Sequence, residues 1–445
     1  MLVGLMLAGC GGQTTRQPAP ETRVQQPRQE APAPVEDSRP VLSPLPDRAP
    51  EDEKVRIALL LPLSGDQAST GQALLNAASM ALFEAYDPRL VLLPFDTAGE
   101  RDRTREQALN ALNAGADLII GPLFANNVVA ADEMVAARGI PVIGLSNDRS
   151  IAAPGRYVFG FAPEQEVARV VRYAVERGHE RFAALIPAGR YGDQVERAFT
   201  MAVNRAGAEV ARLQDYPPMA EAVSDPIRRL TAYDSRQAEL RAERQALEAL
   251  NSGLVDPILE DLADREVLGP PPFDAVLIPE GGALLRTMAA LLPYFEVDPE
   301  QVRFLGTGLW QDDVVLGETT LQGGLFAAPD PGPGNRLLAR YKELFSGSPP
   351  RIASLAYDAV ALAAHLVRTH GPEDPFSEER LTVPGGFAGV DGPFRFLETG
   401  VVDRNLAVIA IEDGAFTVAA PAPGVFRAPL VAPGDPIPDG EDAAR

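Results

Sequence analysis

The chain has 445 residues, 46% of them hydrophobic, with a formal net charge of −22. That balance excludes non-specific nucleic-acid binding, which needs cations to displace counterions, and electrostatic docking on anionic lipid. One cysteine and three histidines exclude an intrachain disulfide and a thiolate zinc cluster, and no metal or cofactor is expected.

The first ten residues, Met1 to Cys10, form an apolar run too short to cross a bilayer, which takes about 20 residues. Small residues before a cut match the tail of a secretory signal. Leu7-Ala-Gly-Cys10 resembles the bacterial lipobox, which implies cleavage before Cys10 and lipidation of its sulfur. By the same resemblance, Gly11 in place of an aspartate points to the outer membrane of a Gram-negative bacterium, with the protein on its periplasmic side. Residues 11–53 carry nine prolines and no apolar periodicity, so they read as a disordered tether. Residues 421–445 hold six more prolines and an acidic end, and read as a loose tail.

Between these segments, strands and helices alternate. Val55–Leu61 is a near-continuous apolar run, as expected of a parallel strand covered on both faces. The pattern predicts a helix over 70–85, a strand over 89–95, a helix over 101–114 and a strand over 117–121. A helix over 126–138 and strands over 140–145 and 157–161 follow. The rhythm restarts with helix 164–178, strand 181–186, helix 191–206 and strand 208–213. It continues with strand 273–278, helix 283–294, strands 303–305 and 324–327, and helices 334–345 and 353–369. A strand over 394–397 and a hairpin of arms 406–412 and 415–419, turning at Asp413-Gly414, close the pattern. The fold class is α/β, with two doubly wound, mostly parallel sheets in two lobes.

Leu61-Pro-Leu-Ser-Gly65 with Gly71, Ile120-Gly-Pro122, Ile140-Pro-Val-Ile143 with Ser146, Arg190-Tyr-Gly192, Ala356-Tyr-Asp-Ala-Val360 and Gly389…Phe394-Arg-Phe396 occur in that order. Together they resemble the type I periplasmic binding proteins of the leucine/isoleucine/valine-binding group. The resemblance divides the chain into a signal (1–10), a tether (11–53), a first lobe (54–160 plus 328–385), a second lobe (161–327 plus 386–420) and a tail (421–445). Within the second lobe, residues 217–270 form a helical insert where transport proteins carry about half as many. An insert on a lipid-anchored type I fold resembles the penicillin-binding-protein activator lipoproteins. That resemblance implies a non-enzymatic activator of a peptidoglycan synthase, with a class A penicillin-binding protein as partner. The alternative is a solute-binding protein of an ABC transporter for a branched-chain or related amino acid.

No catalytic constellation is present. No Ser-x-x-Lys occurs, Gly144-Leu-Ser-Asn-Asp148 fails the last position of a nucleophile elbow, and Gly306-Thr-Gly308 lacks the third glycine of a dinucleotide loop. His365 and His370 are five apart, off one helical face. In this fold a ligand sits between the lobes, at strand C-terminal ends. By position the cleft candidates are Ser64, Phe124, Ala125, Ser146, Tyr191 and Glu280. Hydroxyls and free helix N–H groups suit a carboxylate, an acid suits an ammonium, and the bulk of Phe124 would fill the cleft. In the insert, Leu240, Leu247 and Leu254 recur at seven-residue spacing. The helix 235–250 either covers its own lobe or projects as an arm, with Arg236, Arg241 and Arg244 as partner contacts.

Overall fold

The computed structural model describes residues 49–424 and 426. β1 (Val55–Leu61) is almost wholly buried and paired on both sides, so its apolar run has both faces covered. The chain continues through α1 (Ala68–Ala85), β2 (Leu90–Asp96), α2 (Arg101–Asn113), β3 (Leu118–Ile120), α3 (Ala125–Val135), β4 (Val142–Gly144) and β5 (Arg156–Val158). These strands form a parallel five-stranded sheet of order β2-β1-β3-β4-β5.

The chain then enters the second lobe. There it forms α4 (Pro163–Glu176), β6 (Arg181–Pro187), α5 (Arg190–Arg205), β7 (Glu209–Tyr216), α6 (Ser224–Leu230), α7 (Tyr233–Ala249) and α8 (Asp256–Ala263). β8 (Ala275–Leu277), α9 (Gly282–Tyr294), β9 (Arg303–Gly306) and β10 (Leu325–Ala328) follow. α10 (Pro331–Leu344), α11 (Ala353–His370) and α12 (Glu378–Leu381) return to the first lobe, where small residues of α1 and α11 interlock in one core. β11 (Phe387–Gly389), β12 (Gly392–Phe396) and β13 (Val402–Arg404) make a small antiparallel sheet. β14 (Ala407–Glu412) and β15 (Ala415–Ala420) complete a seven-stranded sheet of order β15-β14-β10-β9-β8-β6-β7. β14 pairs antiparallel with β10 and β15, and the remaining pairs are parallel. The lobes are joined by the chain between β5 and α4, between β10 and α10, and between β13 and β14.

Each lobe begins with the same device. A Cβ on Gly71 would lie 2.1 Å from the Pro62 carbonyl oxygen, and one on Gly192 would lie 1.7 Å from that of Pro187. Only glycine lets the first helix of each lobe approach the end of its first strand this closely. The close approach places the helix starts, and the residues just before them, on the rim of each sheet.

Three expectations from sequence are corrected. Residues 386–404 pack on the first lobe, because Phe394, Phe396 and Val402 join Leu59, Leu74 and Val360 in one core; only β14 and β15 belong to the second sheet. The leucines of the insert do not share one buried stripe: Leu240 is buried, but Leu254 is 87% exposed, because α7 ends at Ala249 and the heptad loses its helix. Phe124 does not plug the cleft; it stays exposed, with its ring 3.1 Å from where a Cβ on Gly99 would lie. Cys10 and nearly all of the 11–53 and 421–445 segments lie outside the described residues. Among the described residues no helix is long and apolar enough to cross a membrane.

Candidate functional site

Ser64, Phe124, Ala125 and Ser146 stand just beyond the C-terminal ends of β1, β3 and β4, along one rim of the first sheet. The Ser64 hydroxyl donates to Asp96 Oδ2 at 2.7 Å, and the N–H groups of Leu63, Ser64 and Ala98 donate to Asp96 Oδ1 at 2.9, 3.1 and 2.9 Å. Arg103 adds a contact of 2.7 Å. Burial opposes ionisation of Asp96, but these donors hold its carboxyl below the usual range. Ser64 therefore faces outward with its lone pairs rather than its proton. Ser146 is buried and its oxygen accepts the Asp148 N–H at 3.1 Å, which keeps its proton available. α3 opens at Ala125 behind Phe124, whose side chain makes no capping bond; the Asn127 and Val128 N–H groups donate to the Phe124 carbonyl at 2.9 and 3.0 Å, which leaves those of Ala125 and Asn126 for the rim.

On the second lobe, Tyr191 lies in the first turn of α5, and its hydroxyl is 3.3 Å from Thr307 Oγ1, just past β9. Tyr216 ends β7 and donates to Glu280 Oε2 at 2.8 Å, while Glu280 Oε1 accepts the Gly281 N–H at 3.0 Å. Among the described residues no ion pair engages Glu280. Burial, followed by the nearby Glu280 carboxylate, pushes the Tyr216 phenol up. Burial and the fields of Glu166, Glu280 and Glu164 do the same to Tyr191.

Glu166, in the first turn of α4, is buried and accepts the Gly308 N–H at 2.9 Å, fixing the turn that presents Thr307. Burial pushes its carboxyl up to about 7. The two rims meet where Arg190 donates to Asp148 Oδ2 at 2.7 Å. Sequence reasoning missed Tyr216, Thr307 and Glu166. The position of Tyr216 and Thr307 past strand C-termini was the signal that could have found the first two.

The structure keeps Arg236, Arg241 and Arg244 away from this cleft. Arg236 is not an exposed contact: it is buried, donating to the carbonyls of Gly269 at 2.7 Å and Glu296 at 3.4 Å. It borders a cavity of about 610 Å³ on the side of the second lobe opposite the rim, shared with Asp264, Glu266 and Asp298. Arg244 donates to the carbonyls of Leu262, Ala263 and Arg265, tying α7 to the end of α8. Arg241 is exposed and bonds only within its own helix, to Gln237. Among the described residues no cluster of three or more His, Cys, Asp or Glu side chains could hold a metal ion.

Residues 54–415 match a family profile described as periplasmic binding protein. The chain belongs to the periplasmic binding protein family. The same fold recurs in a branched-chain amino acid ABC transporter periplasmic ligand-binding protein from Burkholderia xenovorans, at 14% identity and TM-score 0.61, covering 83% of this chain and 96% of that one. It recurs in a solute-binding protein from Rhodopseudomonas palustris in complex with 3,4-dihydroxybenzoic acid, at 17% identity and TM-score 0.53, covering 84% and 99%. A Streptococcus pneumoniae branched-chain amino acid transporter substrate-binding protein in complex with isoleucine shares 15% identity at TM-score 0.52, covering 83% and 99%. An uncharacterized protein of Rickettsia prowazekii is 25% identical over 195 residues. That match spans 44% of this chain and about half (51%) of its relative.

As a periplasmic binding protein the chain has the α/β architecture with parallel sheets expected of the type I fold. The solved neighbours are solute-binding proteins of ABC transporters, and several were crystallised with small molecules.

Proposed function

We propose that this periplasmic binding protein is a non-enzymatic solute receptor for an ABC transporter, closing its lobes on a small amine-bearing acid such as a branched-chain or related amino acid. The observation that carries this reading is Glu280. Its carboxylate is oriented by Tyr216 and Gly281 and, among the described residues, by no cation, so it is ready for a ligand ammonium. Across the cleft, the uncapped start of α3 at Ala125 and the Ser146 hydroxyl suit the ligand's carboxylate. Tyr191 supplies an aromatic wall, Ser64 an acceptor and Phe124 an apolar edge.

A thermal-shift panel of amino acids and aromatic acids tests the reading. A ligand at a hundredfold excess over its dissociation constant adds about 2.7 kcal/mol of stability. We expect amine-bearing acids to stabilise the wild type by this amount and Glu280→Gln by only about 0.4–1.4 kcal/mol at the same concentration. No shift with any amino acid would overturn the reading.

The insert favours a second reading, activation of a class A penicillin-binding protein. α6 to α8 carry Leu250, Leu254 and Ile258 exposed, with Arg241 exposed on α7. Its test is glycan polymerisation by a purified class A synthase in the presence of wild type and of Leu254→Ser with Arg241→Glu. Stimulation by the wild type that the double variant loses would support it, and the absence of stimulation would overturn it. Both readings place the protein in the periplasm. Lipid anchorage rests on the Leu7–Cys10 sequence and the choice of the outer membrane on Gly11, and retention of Cys10→Ala in washed membranes would overturn the anchor.

A further inference from the structure

The chain does not end where the second sheet does. After β15, the edge strand of that sheet, it runs back along the junction of the lobes. Tyr173 on α4 donates to the Ala419 carbonyl at 3.4 Å. Arg169, also on α4 and buried, donates through Nε to Leu406 O at 2.9 Å and through its other end to Pro421 O at 3.4 Å. One guanidinium thus holds both the β13–β14 crossing and the segment beyond β15. Asn405, inside that crossing, donates through Nδ2 to Pro423 O at 2.8 Å. Its own N–H donates to Pro393 O, at the start of β12, at 3.0 Å.

The segment then reaches the first lobe. The Phe426 ring lies 4.8 Å from the Arg395 guanidinium on β12. It also lies against Gly386, where a Cβ would stand 2.6 Å from a ring carbon, so a side chain there would evict it. The β11–β12–β13 sheet is part of the first-lobe core through Phe394 and Phe396. The same stretch is therefore fixed to the second lobe at Ala419–Pro421, to the crossing at Pro423 and to the first lobe at Phe426.

We propose that Pro421–Gly424, together with Phe426, act as a fourth strap between the lobes, which favours the arrangement described and opposes their opening. Rotation of the lobes about the three covalent crossings must break a contact at one end of this stretch, because its ends move with different lobes. The weaker anchor is Phe426, held among the described residues by an aromatic–cation contact and by shape, so opening releases it first. The strap acts on the equilibrium between lobe arrangements and is independent of which solute, if any, enters the cleft.

Interlobe distances measured by double electron–electron resonance test it. Full-length protein with Cys10→Ala would carry spin labels at Glu106→Cys on α2 and Arg212→Cys on β7, both exposed. In ligand-free protein, Phe426→Ala and truncation after Ala420 should shift the distribution to longer distances. Truncation after Phe426 should leave it as in the full chain. Equal distributions in all four proteins would overturn the proposal, as would an equal shift from both truncations. If truncation after Ala420 fails to fold, Phe426→Ala, checked by circular dichroism, decides alone.

Discussion

The two walls of the cleft use polar groups differently. On the first lobe they are spent on local structure: Asp96 gathers the Ser64 hydroxyl, backbone N–H groups and Arg103, and Ser146 closes its own turn with Asp148. What remains for a ligand there is largely backbone, the N–H groups at the start of α3. On the second lobe Glu280 is held by neutral partners, the Tyr216 hydroxyl and the Gly281 N–H. A carboxylate among neutral donors keeps its field for whatever enters the cleft, whereas one paired with arginine does not. Under the proposed solute-binding reading, the first wall would offer generic recognition of an anion, and the second would set which solute is chosen.

The sharpest way to break this contrast is pH, because the two walls carry carboxyls shifted in opposite directions. Burial raises Glu166 to about 7, with the Gly308 N–H and then Arg351 partly offsetting and Glu164 adding to the rise. A raised folded-state value means that the stabilising contribution is complete below the unfolded value near 4.5 and is lost as pH rises through about 7. Glu166→Gln, which keeps an acceptor for Gly308, should therefore gain on the order of 3 kcal/mol relative to wild type between pH 4 and pH 8. Asp96 is lowered, so its contribution is present above its unfolded value and lost as pH falls. Asp96→Asn should cost about 1–2 kcal/mol at pH 7, and the deficit should shrink in acid. Urea denaturation at several pH values reads both. Parallel pH profiles for the two variants would show that the walls do not differ.

Much of this architecture was legible because a parallel strand buried on both faces has to be an apolar run. Val55–Leu61 and Arg181–Pro187 read so without ambiguity, and the glycines that admit the next helix, Gly71 and Gly192, stand in motifs. The sheet of β11 to β13 was harder. Phe394 and Phe396 alternate as a half-buried strand must, but alternation does not say which lobe lies beneath. Arg236 was misplaced for a related reason. It falls on the charged face of α7, and its burial comes from the carbonyls of Gly269 and Glu296, which arrive from distant parts of the chain. Ser64, Ser146, Tyr191 and Glu280 could be placed on the two rims from strand order alone. Glu166 could not, since a glutamate in the first turn of a helix is ordinarily an exposed residue favoured by the dipole.

A smaller effect is expected in ligand affinity. Glu280→Gln preserves an acceptor for Tyr216 but removes the charge, and hydrogen bonds to charged groups are worth about 1.5–3 kcal/mol. Affinity for an amine-bearing acid should fall about 10- to 100-fold. Ser64→Ala removes a hydroxyl whose proton is already given to Asp96, and its affinity loss should stay under about fivefold. Isothermal titration of both variants against one amino acid compares the walls directly. Equal losses would mean that the first wall discriminates as strongly as the second.

The smallest effect belongs to the contact that joins the walls. The Arg190 side chain is 80% exposed, while its partner Asp148 is 10% exposed. Removing one member of a buried pair usually strands the other charge. Here Asp148 is not stranded, because its Oδ1 also accepts the Ser150 N–H and hydroxyl at 3.1 and 2.6 Å. The loss in Arg190→Ala is then that of an exposed ion pair, under about 1 kcal/mol, and it is screened at high salt, where the Debye length falls to about 3 Å. Chemical denaturation with urea at low and high salt should show a small deficit at low salt that disappears at about 1 M. A deficit that persisted in high salt would mean that Arg190 packs the two walls together as well as pairing their charges. The walls would then be one surface rather than two that meet at a bridge.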